Sequence, residues 1–319
     1  MRSINKYFLL KKYIFCCFIF SYFSAFENNA VAYSLTKGRF GDHLLCYLHA
    51  KWLSYYYDIP LLYTPFLYSS ELVLSDKEIL SNGQAFSKQI NVNALTSFEN
   101  SKNEKSTIYH TFYFAESFFE KMNSSNEFPV DWKNENFRQT LLPLLAPKKA
   151  LQLIYPHDDR ISIAIHIREG GNIDTDHTRY YAPYKLPPIG FYIDALKNMI
   201  DLFPKRKLYC FIFTDAIKPD LLTSKLETLF PELTFDYRKK GNGPKNNVLE
   251  DFFSFFEFDA LIRPDSNFSI IPSLLHDYAV VISPKKFSYK NNFPVIDELN
   301  ISIEKDLYQQ LLKEKRFLK

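Results

Sequence analysis

Ser162-Ile-Ala-Ile-His-Ile-Arg-Glu-Gly-Gly171 decides the reading of this chain. A short apolar run bounded by turn signals has the pattern of a strand buried in a parallel sheet. This one ends in His166, Arg168 and a glycine pair. In open α/β sheets, ligands collect outside the carboxyl ends of the strands. Arg168 stands where the strand should stop, and a guanidinium fork there can grip a phosphate through two parallel hydrogen bonds. The simplest ligand that needs this is a nucleotide diphosphate.

Strand–helix alternation continues outward. Downstream, the pattern predicts helix Ile189–Leu202, strand Leu208–Phe213 ending in Thr214-Asp215, helix Asp220–Leu229 and strand Leu233–Tyr237. A short amphipathic helix Leu249–Phe256, strand Ala260–Arg263, helix Phe268–His276, strand Ala279–Ser283 and helix Ile303–Lys313 follow. Upstream it predicts strand Val31–Thr36, a tight loop Lys37–Gly41, and helix Asp42–Tyr57 with Asp42 as its cap. Strands Leu61–Tyr63 and Thr107–Tyr113, a short helix Ala115–Met122, and a helix Asn134–Leu153 broken near Pro143 and Pro147 complete that half. Residues 76–106 and 170–188 read as polar surface segments. The alternation argues for an α/β protein with parallel, doubly wound sheets. Length and a change of composition near Pro156 predict two domains, 30–155 and 156–319, behind a leader, 1–29.

Composition narrows the function. A net charge of +3 is too small for a nucleic-acid face, so no nucleic-acid partner is expected. Cys46 and Cys210 fall in a helix and a strand and read as small buried hydrophobes rather than a disulfide pair. Arg2, Lys6, Lys11 and Lys12 precede an apolar run, Tyr13–Phe26, short for a bilayer span and suited to a signal peptide. Export or membrane anchoring is expected, with cleavage after Ala25, after Ala32, or not at all.

Three further stretches carry candidate chemistry, each open to two readings. Gly38-Arg39-Phe40-Gly41-Asp42 allows close backbone approach to a ligand at a helix N-terminus, or is a tight strand-to-helix turn. Arg263-Pro-Asp265-Ser266-Asn267-Phe268-Ser269 follows a strand with two hydroxyls at a helix start, either a phosphate cradle or a plain N-cap at Ser266. Glu250 and Asp251 could accept from a guanine edge or a ribose hydroxyl, or compensate a helix dipole. Asp174, Asp176 and His177 crowd one loop, yet no carboxylate-x-carboxylate pair closes a strand, so no metal and no other cofactor is expected.

In this order the segments resemble the GDP-fucose-dependent fucosyltransferases, among them the α-1,2-fucosyltransferases and the protein O-fucosyltransferases. Gly38–Asp42 with Ala50-Lys51 looks like their N-terminal loop and helix, and His166-Ile-Arg168 like their His-x-Arg motif. Asp251, Asp259-Ala-Leu-Ile262 and Ser266-Asn-Phe-Ser269 look like their C-terminal acidic helix, strand and Ser-x-Phe-Ser segment; Thr214-Asp215 resembles a polar strand end between these two motifs. The resemblance implies two Rossmann-like domains facing a cleft, the GT-B arrangement, and an inverting, metal-independent sugar transfer from a GDP-sugar to a hydroxyl on a glycan or protein. Arg168 would hold the β-phosphate, His166 and Asp251 the nucleoside, and Ser266, Ser269 and the backbone near Asn267 and Phe268 the phosphates. Gly38, Arg39, Phe40, Gly41 and Asp215 would line the substrate. Asp42 is the candidate base, with Glu169 and Asp176 as substitutes. The family commonly has Asn where Asp42 stands, and Arg-Gly-Asp or close to it where Glu169-Gly170-Gly171 stands, which admits another nucleotide sugar or a different acceptor geometry. A secreted glycan-binding protein without turnover is the alternative outside enzymes.

Overall fold

A computed structural model describes residues 29–81, 86–92, 99, 105–112, 114, 116, 130–156, 159–170, 182–243 and 245–314. The expected leader (but for its last residue), nearly all of the helix at 115–122 and most of the loop at 170–188 lie outside the described residues. Among the described residues no helix is long and apolar enough to cross a membrane. The protein is α/β and falls into two compact units. The first takes the described residues up to Phe114, Val130, Asp131 and Gln139–Ala146; the second takes Glu116, Trp132–Arg138 and the described residues from Pro147 onward.

In the first unit, β1 (Ala30–Tyr33) leads through a loop into α1 (Phe40–Tyr57). Leu44–Ala50 of α1 are wholly buried, as befits a helix apolar on every side. Next come β2 (Leu62–Tyr63), α2 (Leu74–Lys77), β3 (Ile79–Leu80), β4 (Lys88–Val92) and β5 (Thr107–Thr111). The strands β1, β5 and β4 form one parallel sheet and β2 pairs with β3, with a parallel bridge from Val31 to Leu61. Three expectations change here. The first strand stops at Tyr33 instead of Thr36. The first helix begins at Phe40, with Arg39 and not Asp42 as its cap, because Asp42 serves as the third helical residue of a capping box. The polar stretch 76–106 contributes two short strands. The helix expected at 134–153 is α3 (Glu135–Leu145), which continues through Pro143 and stops before Pro147.

The second unit is organised around β6 (Ile161–Ile167). After it come α4 (Ile189–Leu202), β7 (Leu208–Thr214), α5 (Asp220–Leu229), β8 (Thr234–Tyr237), α6 (Val248–Ser254), β9 (Ala260–Ile262), α7 (Asn267–Leu275), β10 (Val280–Lys290), β11 (Phe293–Ile303) and α8 (Lys305–Glu314). The sheet order is β8-β7-β6-β9-β10-β11, parallel throughout except for β11. The chain winds outward from β6 in one direction, returns, and winds outward from β9 in the other. The switch point therefore lies between β6 and β9.

The seven residues of β6 are all buried because both faces of the strand are covered. Ile161, Ile163, Ile165 and Ile167 pack with Phe191, Leu196, Leu226 and Leu311 on one side. Ala164 packs with Phe213, Phe255, Phe258 and Leu261 on the other. Full burial of each isoleucine is worth about 1.5–3 kcal/mol relative to exposure. The polar Ser162 is satisfied within this core: its N–H and hydroxyl both donate to the Asp259 carboxylate at 2.8 Å.

The largest departure from expectation is at the C-terminus. A strand ending at Ser283 was expected; instead β10 runs to Lys290 and returns as β11, so Ile303 closes a strand rather than opening a helix. Asn291 and Asn292 make the turn at φ 51° and 65°, the left-handed pair that a two-residue hairpin requires and asparagine tolerates.

Candidate functional site

The site is built at the switch point of the second unit. Ile165 pairs with Ile262 and Ile167 with Thr214, so β6 delivers His166 and Arg168 between the carboxyl ends of β9 and β7. His166 points to the face covered by α7. Its Nδ1 lies 2.7 Å from the Ser269 hydroxyl, and its ring sits 5.9 Å from that of Phe255 and 5.7 Å from that of Phe268. His166 and Ser269 are both buried. The two segments quoted from the sequence, more than a hundred positions apart, thus meet through one short hydrogen bond.

Ser266 is the residue before α7, and its side chain makes no capping bond. Its carbonyl accepts from the backbone N–H groups of Ser269 and Ile270, both at 2.9 Å. The first turn of α7 contains no acidic residue. A helix start whose first turn carries no carboxylate suits an anion. The plain N-cap reading of the Ser266 side chain is therefore not what the structure adopts. Arg168 is 9% exposed, placing its cation in a low-dielectric setting where attraction to an anion exceeds that in water.

Asp215 follows β7. Its Oδ1 accepts the backbone N–H of Glu169 at 2.7 Å and of Gly170 at 3.2 Å. Tyr192 on α4 lies against this group: burial raises its phenol pKa, Glu169 and Asp215 raise it further, and the Arg168 charge opposes them.

Asp251 is in the first turn of α6, where it accepts two hydrogen bonds from Arg238, from Nε at 3.0 Å and from an η nitrogen at 2.6 Å. Burial nevertheless pushes its carboxyl up to about 6, with Arg238 pulling it down. Its neighbour Phe252 stacks near Phe268, ring centres 5.9 Å apart, which ties α6 to α7. The one sequence signal for Arg238 is its place just past the end of β8.

The sequence assigns Arg263 no role. It emerges from β9 beside His166, reaches Asp265 at 3.3 Å, and keeps a buried Nε without a hydrogen-bond partner. Burial lowers its pKa, and Asp265 works against that shift.

Gly38, Arg39, Phe40, Gly41 and Asp42 belong to the first unit. The Gly38 N–H donates to Thr36 Oγ1 at 3.0 Å, and the Arg39 N–H donates to Asp42 Oδ2 at 2.9 Å. A Cβ on Gly38 would stand 2.1 Å from Asp42 Oδ2 and 2.5 Å from Asp42 Cβ, so only glycine fits. Phe40 is buried, with its ring centre 6.0 Å from that of Tyr68. His43, passed over in the sequence, bonds the Thr36 carbonyl through Nε2 at 3.0 Å and leaves Nδ1 buried without a partner. Among the described residues no group of three or more His, Cys, Asp or Glu is placed to hold a metal ion.

No model of a protein family matches the sequence, and no curated protein matches it. Among solved structures, the chain is similar to POFUT1 in complex with GDP-fucose, at 8% identity over 80% of this chain and 95% of that one, TM-score 0.41. It is similar to fucosyltransferase NodZ from Bradyrhizobium at 12% identity over 87% and 99%, TM-score 0.42. NodZ α-1,6-fucosyltransferase soaked with GDP-fucose gives 12% identity over the same shares and a TM-score of 0.40.

Proposed function

We propose that the second unit binds the diphosphate of a nucleotide sugar, and that the chain is a glycosyltransferase moving fucose or a related sugar from a GDP-sugar to a hydroxyl of a glycan or protein. The observation that carries this is the 2.7 Å contact between His166 and Ser269, which joins the strand end bearing Arg168 to the start of α7 at a switch point. An arginine and a helix N-terminus are complementary to a diphosphate.

In the proposed reaction the acceptor hydroxyl attacks the anomeric carbon from the face opposite the diphosphate, inverting the centre. The bond from that carbon to the β-phosphate oxygen breaks, and its electron pair leaves on the diphosphate. Arg168 and the α7 start stabilise the charge that grows there, the kind of preorganised electrostatic effect that is usually the largest catalytic contribution. The hydroxyl proton passes to a base. Asp42 remains the candidate, with Glu169 and Asp176 as substitutes, the last outside the described residues; Asp42 also holds the Arg39 N–H. Asp251, with Arg238 behind it, is assigned to the nucleoside. The leader residues are assigned to export or anchoring.

GDP release from GDP-fucose in the presence of a hydroxyl acceptor tests the reading. The wild type should release GDP, and Arg168→Ala should lower that rate at least about a hundredfold, as for loss of a transition-state donor. Equal release by the two proteins would remove Arg168 from the mechanism.

A further inference from the structure

Asp215 leaves β7 in register beside Arg168, since Ile167 pairs with Thr214 one position earlier. Its Oδ1 takes the N–H groups of the two residues that follow Arg168. At the second of them, Gly170, the chain turns with φ 86°, a backbone conformation that glycine adopts without strain. Two residues before Arg168, His166 is held to Ser269. Arg168 is thus flanked on both sides by fixed points, Asp215 just past the end of β7 and Ser269 in the first turn of α7. A guanidinium on a mobile loop would lose rotational and backbone freedom whenever it gripped an anion; one held in advance does not.

We infer that Asp215 is a positioning residue: by holding the Glu169 and Gly170 N–H groups it fixes the backbone of Arg168, and with it the direction in which the guanidinium leaves β6. This differs from the substrate contact that family resemblance assigns to Asp215, and it rests on reading Arg168 as the diphosphate ligand. An asparagine keeps a side-chain oxygen that can accept the same two N–H bonds; an alanine keeps none.

Two measurements on the full-length protein decide it. Amide hydrogen exchange at Glu169 and Gly170, followed by NMR, should be at least about tenfold faster in Asp215→Ala than in wild type and close to wild type in Asp215→Asn. GDP affinity by calorimetry should fall about tenfold in Asp215→Ala and be restored to within about threefold by Asp215→Asn. Should the alanine variant not fold, Asp215→Ser, with its shorter acceptor, takes its place. Unchanged exchange in the alanine variant overturns the inference. So does an asparagine variant that binds GDP as weakly as alanine while its amides stay protected, because the carboxylate charge would then be the ligand contact. If the wild type does not bind GDP, the proposed function fails, and exchange alone still shows whether Asp215 holds the loop.

Discussion

Replacing Ser269 by alanine removes the hydroxyl that bonds His166 Nδ1 at 2.7 Å, while the imidazole stays buried against Phe255 and Phe268. Losing a partner at a buried polar atom costs about 1–3 kcal/mol. Replacing His166 by phenylalanine is different. The Ser269 hydroxyl still has the Ser266 carbonyl at 3.3 Å, so the polar part of that loss should be about 1 kcal/mol. With both changed, no unpaired polar pair remains, and the double variant should cost less than the sum. We expect a coupling of about 1–2 kcal/mol, and any strain from the larger phenyl ring cancels in the cycle. The chain offers a clean probe: its two tryptophans, Trp52 and Trp132, fall one in each unit. Urea unfolding of the four proteins in a Trp52→Phe background, followed by Trp132 fluorescence, reports the second unit alone. A coupling under about 0.3 kcal/mol, the range of independent sites, would refute the claim that this pair fastens β6 to α7.

Two other predictions follow from the same geometry. Burial pushes the Asp251 carboxyl up to about 6 from an ordinary 3.8, so its contribution to stability is fully present below pH 3.8 and is lost as pH rises through 6. NMR of that carboxyl should show a midpoint near pH 6, and Arg238→Gln should move it higher; a midpoint below 4 would contradict the burial argument. Gly38→Ala should destabilise the first unit by about 1–3 kcal/mol, because the new methyl group collides with both the carboxylate and the Cβ of Asp42. Trp52 fluorescence in a Trp132→Phe background measures this, and the modest stabilisation usual for alanine at an unstrained glycine would be the opposing result.

The second unit was largely legible because its strands are short apolar runs between amphipathic helices. Ile189–Leu202 and Asp220–Leu229 could be bounded to the residue. The hairpin was missed because β10 beyond Ser283 is polar and mostly exposed, so it lacks the hydrophobic signal of a core strand; only Asn291-Asn292 betrays it. Asp42 was misplaced for a related reason. Aspartate is favoured both before a helix and in its first turn, and only the hydrogen bond from the Arg39 N–H separates the two positions. The pairing of His166 with Ser269 could be suspected from order along the chain, but not its distance. The roles of Asp215 and Arg238 depend on strand register and loop geometry, which spacing in the sequence does not encode.

The most direct measurement of the central claim is a crystal structure of the protein with GDP bound. The account predicts diphosphate oxygens within hydrogen-bonding distance of the Arg168 guanidinium and of the Ser266 hydroxyl or the first N–H groups of α7. A diphosphate seated elsewhere, touching neither Arg168 nor the start of α7, would contradict it.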